Sequence, residues 1–343
     1  MRHKVIFAIA AVAAFSTAGF AQDGPYKILK SVKAGGMGGF DYVYADAAGR
    51  RLYIPRTGNP ARITVFNLDT LESVGEITGA NARGVAVSAK TGHGFASSKP
   101  LTMFDTKTLE VIKKIDVEGG PDGIMYDSFN DRIWVFSHSM PHATIVNAAD
   151  GSIAGTIADL GGAPEQAASD GKGHIYVDIE DKNNVAVVDA KSLMVTAHYD
   201  IEGKGGTCAG LSLDVKNNIL FAACRNPANM VVLDAGNGSV ITTLPLGVGT
   251  DGAVFNADTM EAFSSQGDGT LTVVKENSKS SFAVEQTVKT MVGAKTLSLD
   301  AKTGHILLIA AEYGAPTTPP PAGRGPGRGP MVADSFTILM VGK

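Results

Sequence analysis

The chain has 343 residues, of which 44% are hydrophobic and 19% are charged, and its formal net charge is −4 at pH 7. This length is enough for a large core, and 41 glycines with few helix-period patterns favour an all-β fold. The acidic balance argues against nucleic acid as the main partner, because phosphate backbones are bound by basic surfaces.

The first 21 residues have the pattern of a signal peptide. Arg2 and Lys4 form a positive start, an apolar run extends from Val5 to Ala14, and small residues end the segment at Ala21. The apolar run is too short to span a membrane, which takes about 20 residues. We therefore expect a periplasmic or secreted chain without a membrane span. Its net charge changes from −4 to −6, because Arg2 and Lys4 are removed.

The rest of the chain is a repeat of about 42 residues. Each unit has four short β-branched stretches bounded by Gly, Asp and Asn, which is typical of antiparallel strands joined by turns. The second stretch carries a large apolar residue, expected to lie in the core, at Tyr53, Phe95, Trp134, Tyr176, Phe221, Phe263 and Leu307. Four antiparallel strands recurring at this spacing predict the blades of a β-propeller.

The seventh repeat lacks its outer strand. Only one strand, Ser335–Val341, is predicted after Leu307, whereas Tyr26–Gly36 resembles the segment Glu110–Gly120 of the second repeat. We predict a single seven-bladed propeller over residues 22–343, built from four-stranded antiparallel blades, in which the N-terminal strand completes the last blade. Joining the two chain ends in one blade removes the open edge of the ring.

A charged column is predicted at one mouth of the channel. The leading position of the first strand is charged in six of the seven units: Asp41, Arg83, Asp122, Glu165, Ala209, Asp251 and Lys295. Loops between the second and third strands open on the same face and add His138, Glu180 and Arg225. We predict that the nine charged residues form a ligand-binding pocket. The alternative is that these charges pair with one another only to close the channel.

The carboxylates of this column are also candidate metal ligands. Asp122, Glu165 and Asp251 offer oxygen atoms that suit Ca²⁺, and an added imidazole suits Mn²⁺ or Zn²⁺. His138 lies in the same blade as Asp122, next to the blade of Glu165, so these three side chains are able to converge. His142 follows after a Met-Pro pair, and this spacing is not a helical zinc motif. No other cofactor and no catalytic residue is predicted.

The two cysteines are predicted to form a disulfide. Pairing Leu213 with Leu220 brings Ala209 opposite Cys224, so Cys208 lies within one residue of facing it. Disulfides persist in exported proteins. The competing interpretation is a pair of buried free thiols.

A segment rich in proline and glycine interrupts the seventh unit at residues 315–334, between its second and third strands. Such a composition buries too little apolar surface to order itself. We predict a disordered loop that emerges on the charged face.

The repeats resemble a known family. "RRLYIPRTGNPARITVFNLDTLESVGEITG" and "HIYVDIEDKNNVAVVDAKSLMV" are similar to the Tyr-Val-Thr-Asn repeat of the YncE-like β-propellers. The resemblance implies an exported seven-bladed propeller, in a family of which many members have no known enzymatic role. The wider group of related propellers includes sugar lactonases with a metal in the channel.

These observations predict an exported, monomeric, non-enzymatic binding protein. Its charged mouth would receive a small molecule or a protein partner. The alternative is a metal-dependent hydrolase of the lactonase type. In that case a cation held by Asp122, Glu165 and Asp251 would polarise a carbonyl group and activate water.

Overall fold

The computed structural model describes residues 24–316 and 329–343. The predicted signal peptide, residues 1–21, and residues 317–328 of the proline-rich segment lie outside the described residues. In the described ranges every regular element is a β-strand, and the strands form seven four-stranded antiparallel sheets. The predicted all-β, seven-bladed propeller is therefore confirmed. No helix in these ranges is long and apolar enough to cross a membrane.

The strands follow the chain from blade to blade after an initial strand, β1 (Lys27–Lys33). Blade one contains β2 (Tyr44–Asp46), β3 (Arg51–Arg56), β4 (Arg62–Asn67) and β5 (Ser73–Thr78). Blade two contains β6 (Val85–Ser88), β7 (His93–Ala96), β8 (Leu101–Asp105) and β9 (Val111–Ile115). Blade three contains β10 (Pro121–Asp127), β11 (Arg132–Ser137), β12 (Ala143–Asn147) and β13 (Ile153–Ile157). Blade four contains β14 (Pro164–Ser169), β15 (His174–Ile179), β16 (Asn184–Asp189) and β17 (Met194–Asp200).

The remaining blades continue the same order. Blade five contains β18 (Cys208–Asp214), β19 (Ile219–Cys224), β20 (Asn229–Asp234) and β21 (Val240–Pro245). Blade six contains β22 (Thr250–Asn256), β23 (Glu261–Gln266), β24 (Thr270–Ser278) and β25 (Ser281–Lys289). Blade seven combines β26 (Leu297–Asp300), β27 (His305–Ala310) and β28 (Thr337–Gly342) with β1 as its outer strand.

The two chain ends close the ring together. β1 runs antiparallel to β28, with Lys27 opposite Gly342, which confirms the predicted sharing of the last blade. Both ends also reach blade six. The Tyr26 hydroxyl donates to the Glu261 carboxylate, and Lys343 Nζ donates to the other oxygen of that carboxylate at 2.9 Å. Strand pairing and hydrogen bonds to the buried Glu261 carboxylate thus close the ring where the two chain ends meet.

The core lies between the blades. Seven apolar clusters occur, one at each interface between neighbouring blades. The large apolar residue of every second strand belongs to this core and is at most 3% exposed: Tyr53, Phe95, Trp134, Tyr176, Phe221, Phe263 and Leu307. Burying a side chain of this size stabilises the fold by about 1.5–3 kcal/mol. The first strands contact one another in turn around the axis, which places their leading residues at the channel.

A disulfide joins Cys208 to Cys224 across the β18–β19 hairpin. Leu213 lies opposite Leu220, as the sequence predicts, but a β-bulge at Ala209 shifts the register by one residue. The bulge brings Cys208 directly opposite Cys224.

Candidate functional site at the charged mouth

A recurring β-bulge sets the positions of the charged column. In blades three to six the register of the first strand shifts near its start. The residues inside these bulges include Asp122, Glu165, Ala209 and Asp251. A bulged residue is left out of the regular ladder, and its side chain is re-aimed. In blades three to six the leading position is therefore a bulge position, whereas the pairing of the first strand shows no such shift in blades one, two and seven.

The residue that follows the leading position is a glycine in four of the seven blades, because the adjacent blade occupies the space that a side chain would need. A Cβ on Gly210 would lie 2.5 Å from the carbonyl carbon of Gly252, and a Cβ on Gly123 would lie 3.0 Å from the Glu165 carbonyl oxygen. Gln166 is an exception at this position. Its side-chain oxygen accepts hydrogen bonds from backbone N–H groups of blades five and six at 3.1 and 2.9 Å, so it bridges part of the channel.

The nine predicted charged residues form one continuous circuit, which we call the charged ring, to which all seven blades contribute. In order around the mouth its members are Asp41, Arg83, Asp122, His138, Glu165, Glu180, Arg225, Asp251 and Lys295. Eight of the nine neighbouring pairs lie within ion-pair distance, including Lys295 with Asp41 at 3.6 Å, and Glu165 and Glu180 interact electrostatically. Five carboxylates thus face three permanent cations and one imidazole.

One part of the charged ring gathers an imidazole and two carboxylates. His138 Nε2 lies 3.2 Å from Asp122 Oδ2 and 3.4 Å from Glu165 Oε1. The remaining oxygens of the two carboxylates differ, because that of Glu165 accepts a hydrogen bond whereas that of Asp122 is buried without a hydrogen-bond partner. Arg83 Nε lies 3.4 Å from Asp122 Oδ1, and the Tyr42 hydroxyl donates to Glu165 Oε2 at 2.9 Å. Asp122 Oδ2 and Glu165 Oε1 thus face the same imidazole.

The opposite part of the ring is a set of ion pairs. The Arg225 guanidinium bridges the carboxylates of Glu180 and Asp251, and Lys295 donates to Asp251 as well. Asp251, one of the three predicted metal ligands, is therefore not part of the cluster around His138. Its two cationic neighbours occupy its oxygens, and His138 takes the third position beside Asp122 and Glu165.

Burial and mutual charge shift the pKa values in the cluster around His138. The hydrogen bond to Glu165 and the charge of Asp122 raise the pKa of His138 to about 9. Burial and the charge of Asp41 raise the pKa of Asp122 to about 6. Burial opposes ionisation of Glu165, but hydrogen bonds from His138 and Tyr42 hold its pKa below the usual value. At neutral pH this is a protonated imidazole between two carboxylates.

A fully buried acid lies behind the ring. Asp178 is 0% exposed, neither of its carboxylate oxygens has a hydrogen-bond partner, and it is opposite the bulge that carries Glu165. Burial, followed by the charges of Glu165 and Glu180, raises the pKa of Asp178 well above its usual value. The sequence could have identified this residue. Two positions after the large apolar residue of the second strand, the seven repeats have a charged residue only at Asp178.

His142 does not join the site. Its side chain is buried, and its Nδ1 accepts from the backbone N–H of Leu160 at 3.1 Å and lies 3.1 Å from Asp159. It braces the start of the loop into blade four, so the two histidines of the Met-Pro turn have different surroundings.

Two cavities border the charged ring. One of about 380 Å³ opens at the mouth over blades one to three, with Phe40, Asp41, Asn81, Arg83 and Lys99 in its lining. The other, of about 280 Å³, lies along the axis and is lined by aromatic side chains and by Glu165 and Gln166. A separate groove of about 680 Å³ between blades six and seven has a mainly apolar lining that includes Met291 and Val292.

Comparison with known proteins places the fold. No family model matches the chain, and no curated protein matches its sequence. The crystal structure of the RRP9 WD40 repeats is similar, with a TM-score of 0.70 at 8% identity, covering 94% of this chain and 99% of that chain. A chain of the mitotic checkpoint complex gives a TM-score of 0.72 at 10% identity, covering 99% and 98%. The structure of U3-55K gives 0.69 at 8% identity, covering 93% and 99%. At these identities the likeness concerns the WD40-like propeller fold alone, and the YncE-like relationship stays a prediction.

Proposed function

We propose that this chain is a non-enzymatic binding protein whose ligand docks at the charged mouth. The observation that carries the proposal is the charged ring itself, assembled from all seven blades beside an open cavity of about 380 Å³. Ligand sites are usually concave, and polar groups placed in them fix the orientation of the ligand. The propeller supplies a rigid frame for it, and the fold is consistent with an interaction scaffold.

The cavity favours a small anionic ligand. Arg83 is paired with Asp41, yet its side chain is 55% exposed, and Lys99 lies at the same rim. Asn81 and the ring of Phe40 add a hydrogen-bonding group and an apolar wall. A carboxylate or phosphate group would gain charge-assisted hydrogen bonds from the guanidinium.

A protein partner is the alternative occupant of the same face. One structural neighbour is a chain of an assembly, the mitotic checkpoint complex. A partner that presents an acidic side chain would use the same guanidinium, so the chemistry at Arg83 does not differ between the two occupants.

A hydrolase of the lactonase type is a second candidate function. It is favoured by one observation, the convergence of Asp122, His138 and Glu165 at the channel mouth. An ion held there would polarise a carbonyl group of the substrate and activate water. Hydrolysis of a panel of sugar lactones by metal-loaded protein, lost in Asp122→Asn, would favour this candidate over simple binding.

The site is tested by a thermal-shift screen of charged small molecules. A ligand that binds only the folded state raises Tm. We expect at least one carboxylate- or phosphate-bearing compound to stabilise the wild type and to lose its effect in Arg83→Gln. Arg132→Gln, at the other end of the blades, is the matched control and should respond as the wild type does. Equal responses from both variants would place the binding site elsewhere.

We also propose that the protein acts in the periplasm or outside the cell, as the YncE-like resemblance implies, and that it is a monomer. The disulfide between Cys208 and Cys224 supports export, because such bonds persist in oxidising compartments. Cell fractionation with N-terminal sequencing should find an exported chain that begins at Gln22. An uncleaved chain in the cytoplasm would contradict export.

A further inference from the structure

We propose that Asp122, His138 and Glu165 bind one divalent transition-metal ion of the Zn²⁺ class. The proposal goes beyond ligand binding at the mouth and holds whether or not the protein is an enzyme. One imidazole nitrogen with two carboxylate oxygens is a mixed donor set that suits Zn²⁺ and leaves a fourth position open.

The spacing of the donor atoms fits a single ion. His138 Nε2 lies 3.2 Å from Asp122 Oδ2 and 3.4 Å from Glu165 Oε1. Ligands on a tetrahedral ion with bonds of 2.0–2.1 Å are about 3.3 Å apart. All three residues offer donor atoms within 4.8 Å of one another. An ion would thus replace the imidazole proton that lies between the two carboxylates.

An outer hydrogen bond orients the Glu165 carboxylate toward that point, and the outer oxygen of Asp122 is buried and unpartnered. Tyr42 donates to Glu165 Oε2, which leaves Oε1 facing His138. Asp122 Oδ2 faces the same nitrogen, while its Oδ1, 3.4 Å from Arg83 Nε, has no hydrogen-bond partner. Groups such as Tyr42 fix the ligands of metal sites and tune their affinity. Surface carboxylates that cluster by chance have no such support.

Asp178 is a second buried polar group without a partner beside this cluster, and it lies opposite the bulge that carries Glu165. It is fully buried with both carboxylate oxygens unpartnered, and it interacts electrostatically with Glu165 and Glu180. Buried carboxylates are normally paired with cations or metals. A dication at the His138 cluster would favour the ionised form of the neighbouring acids, and the ion has access because the His138 side chain is 42% exposed.

The test is a calorimetric titration of the chelator-treated full chain with ZnCl₂ alone. We expect one ion per chain with a dissociation constant of about 1 μM or tighter, and much weaker binding of Ca²⁺, which requires 6–8 oxygen ligands. Co²⁺ in place of Zn²⁺ should give visible absorption bands, a readout that does not depend on any activity.

Matched variants locate the ion. Asp122→Asn and His138→Gln should each weaken Zn²⁺ binding about a hundredfold. His174→Gln removes a histidine that pairs with Asp170 at 2.8 Å outside the ring, and its Zn²⁺ affinity should match the wild type. Asp251→Asn removes the same charge as Asp122→Asn from the same ring and should have a much smaller effect.

Two results would overturn the site. One is the absence of saturable one-to-one Zn²⁺ binding to the wild type. The other is an equal loss in Asp251→Asn and Asp122→Asn, which would indicate general electrostatic attraction. Circular dichroism checks that each variant is folded. If Asp122→Asn does not fold, the comparison rests on His138→Gln, because the half-exposed His138 side chain can be replaced with less effect on folding.

Discussion

Burial keeps some carboxyl groups of this propeller protonated at a pH at which they are ionised in the unfolded chain. Glu276 in β24 is 3% exposed, and only one of its oxygens is satisfied, by Asn217 Nδ2 at 2.8 Å. Burial, reinforced by nearby Asp214, raises the pKa of Glu276 to about 7. Near neutral pH the folded chain therefore retains a proton that the unfolded chain releases.

Replacing Glu276 with a neutral residue should raise the free energy of unfolding by an amount that depends on pH. Because the folded pKa of Glu276 is raised, the folded state binds more protons than the unfolded state between pH 4.5 and 7. Stability of the wild type falls as pH rises through this window. Glu276→Gln should be about 2 kcal/mol more stable than the wild type at pH 8 and nearly equal to it at pH 4.5.

Urea denaturation at the two pH values measures this difference. Glu72→Gln, at an exposed glutamate in a turn of blade one, is the control and should not alter stability at either pH. A Glu276→Gln gain that is the same at both pH values would show that ionisation is not its cause.

The membership of the charged ring could be predicted from residue types in register, because a repeat places equivalent positions on one mouth. Which members of the charged ring form ion pairs with one another could not be predicted in the same way. Asp251 belongs to the same column as Asp122 and Glu165, yet Arg225, from a loop of variable length, binds one of its oxygens, and Lys295 binds the other. Side-chain reach from such loops is not encoded in the repeat spacing.

At the scale of strands, the bulge in blades three to six links packing to function. It turns Asp122, Glu165 and Asp251 out of the ladder, and in blades three, five and six the next residue is a glycine packed against the adjacent blade. Period-two counting does not reveal an inserted residue. For this reason the sequence predicted the Leu213–Leu220 pairing but placed Ala209, not Cys208, opposite Cys224.

Gly210 tests the close approach of neighbouring first strands. A Cβ there would lie 2.5 Å from the backbone of Gly252, which cannot move without disturbing the next bulge. Gly210→Ala should lower the free energy of unfolding by about 3 kcal/mol.

Gly120→Ala is the matched control for this substitution. A Cβ at Gly120 has Ser139 Oγ as its nearest neighbour, at 3.6 Å, an ordinary contact. Its effect should stay within about 0.5 kcal/mol. Urea denaturation of both variants gives the comparison, and similar values for the two would contradict the packing account.

At the scale of the whole molecule, seven similar units close into one ring. The number of blades could be predicted because each unit has a large buried residue at the equivalent position. The closure of the last blade could be predicted because the strand that this blade lacks lies near the N-terminus. What docks at the mouth could not be predicted, because the repeat sets the frame while the ligand depends on a few side chains such as Arg83.

The most direct measurement of the central claim is a crystal structure of the protein with a compound identified by the thermal-shift screen. We predict that the compound occupies the cavity over blades one to three and that its anionic group contacts Arg83. A compound bound in the apolar groove between blades six and seven, with the charged ring unchanged and free of ligand, would contradict the account.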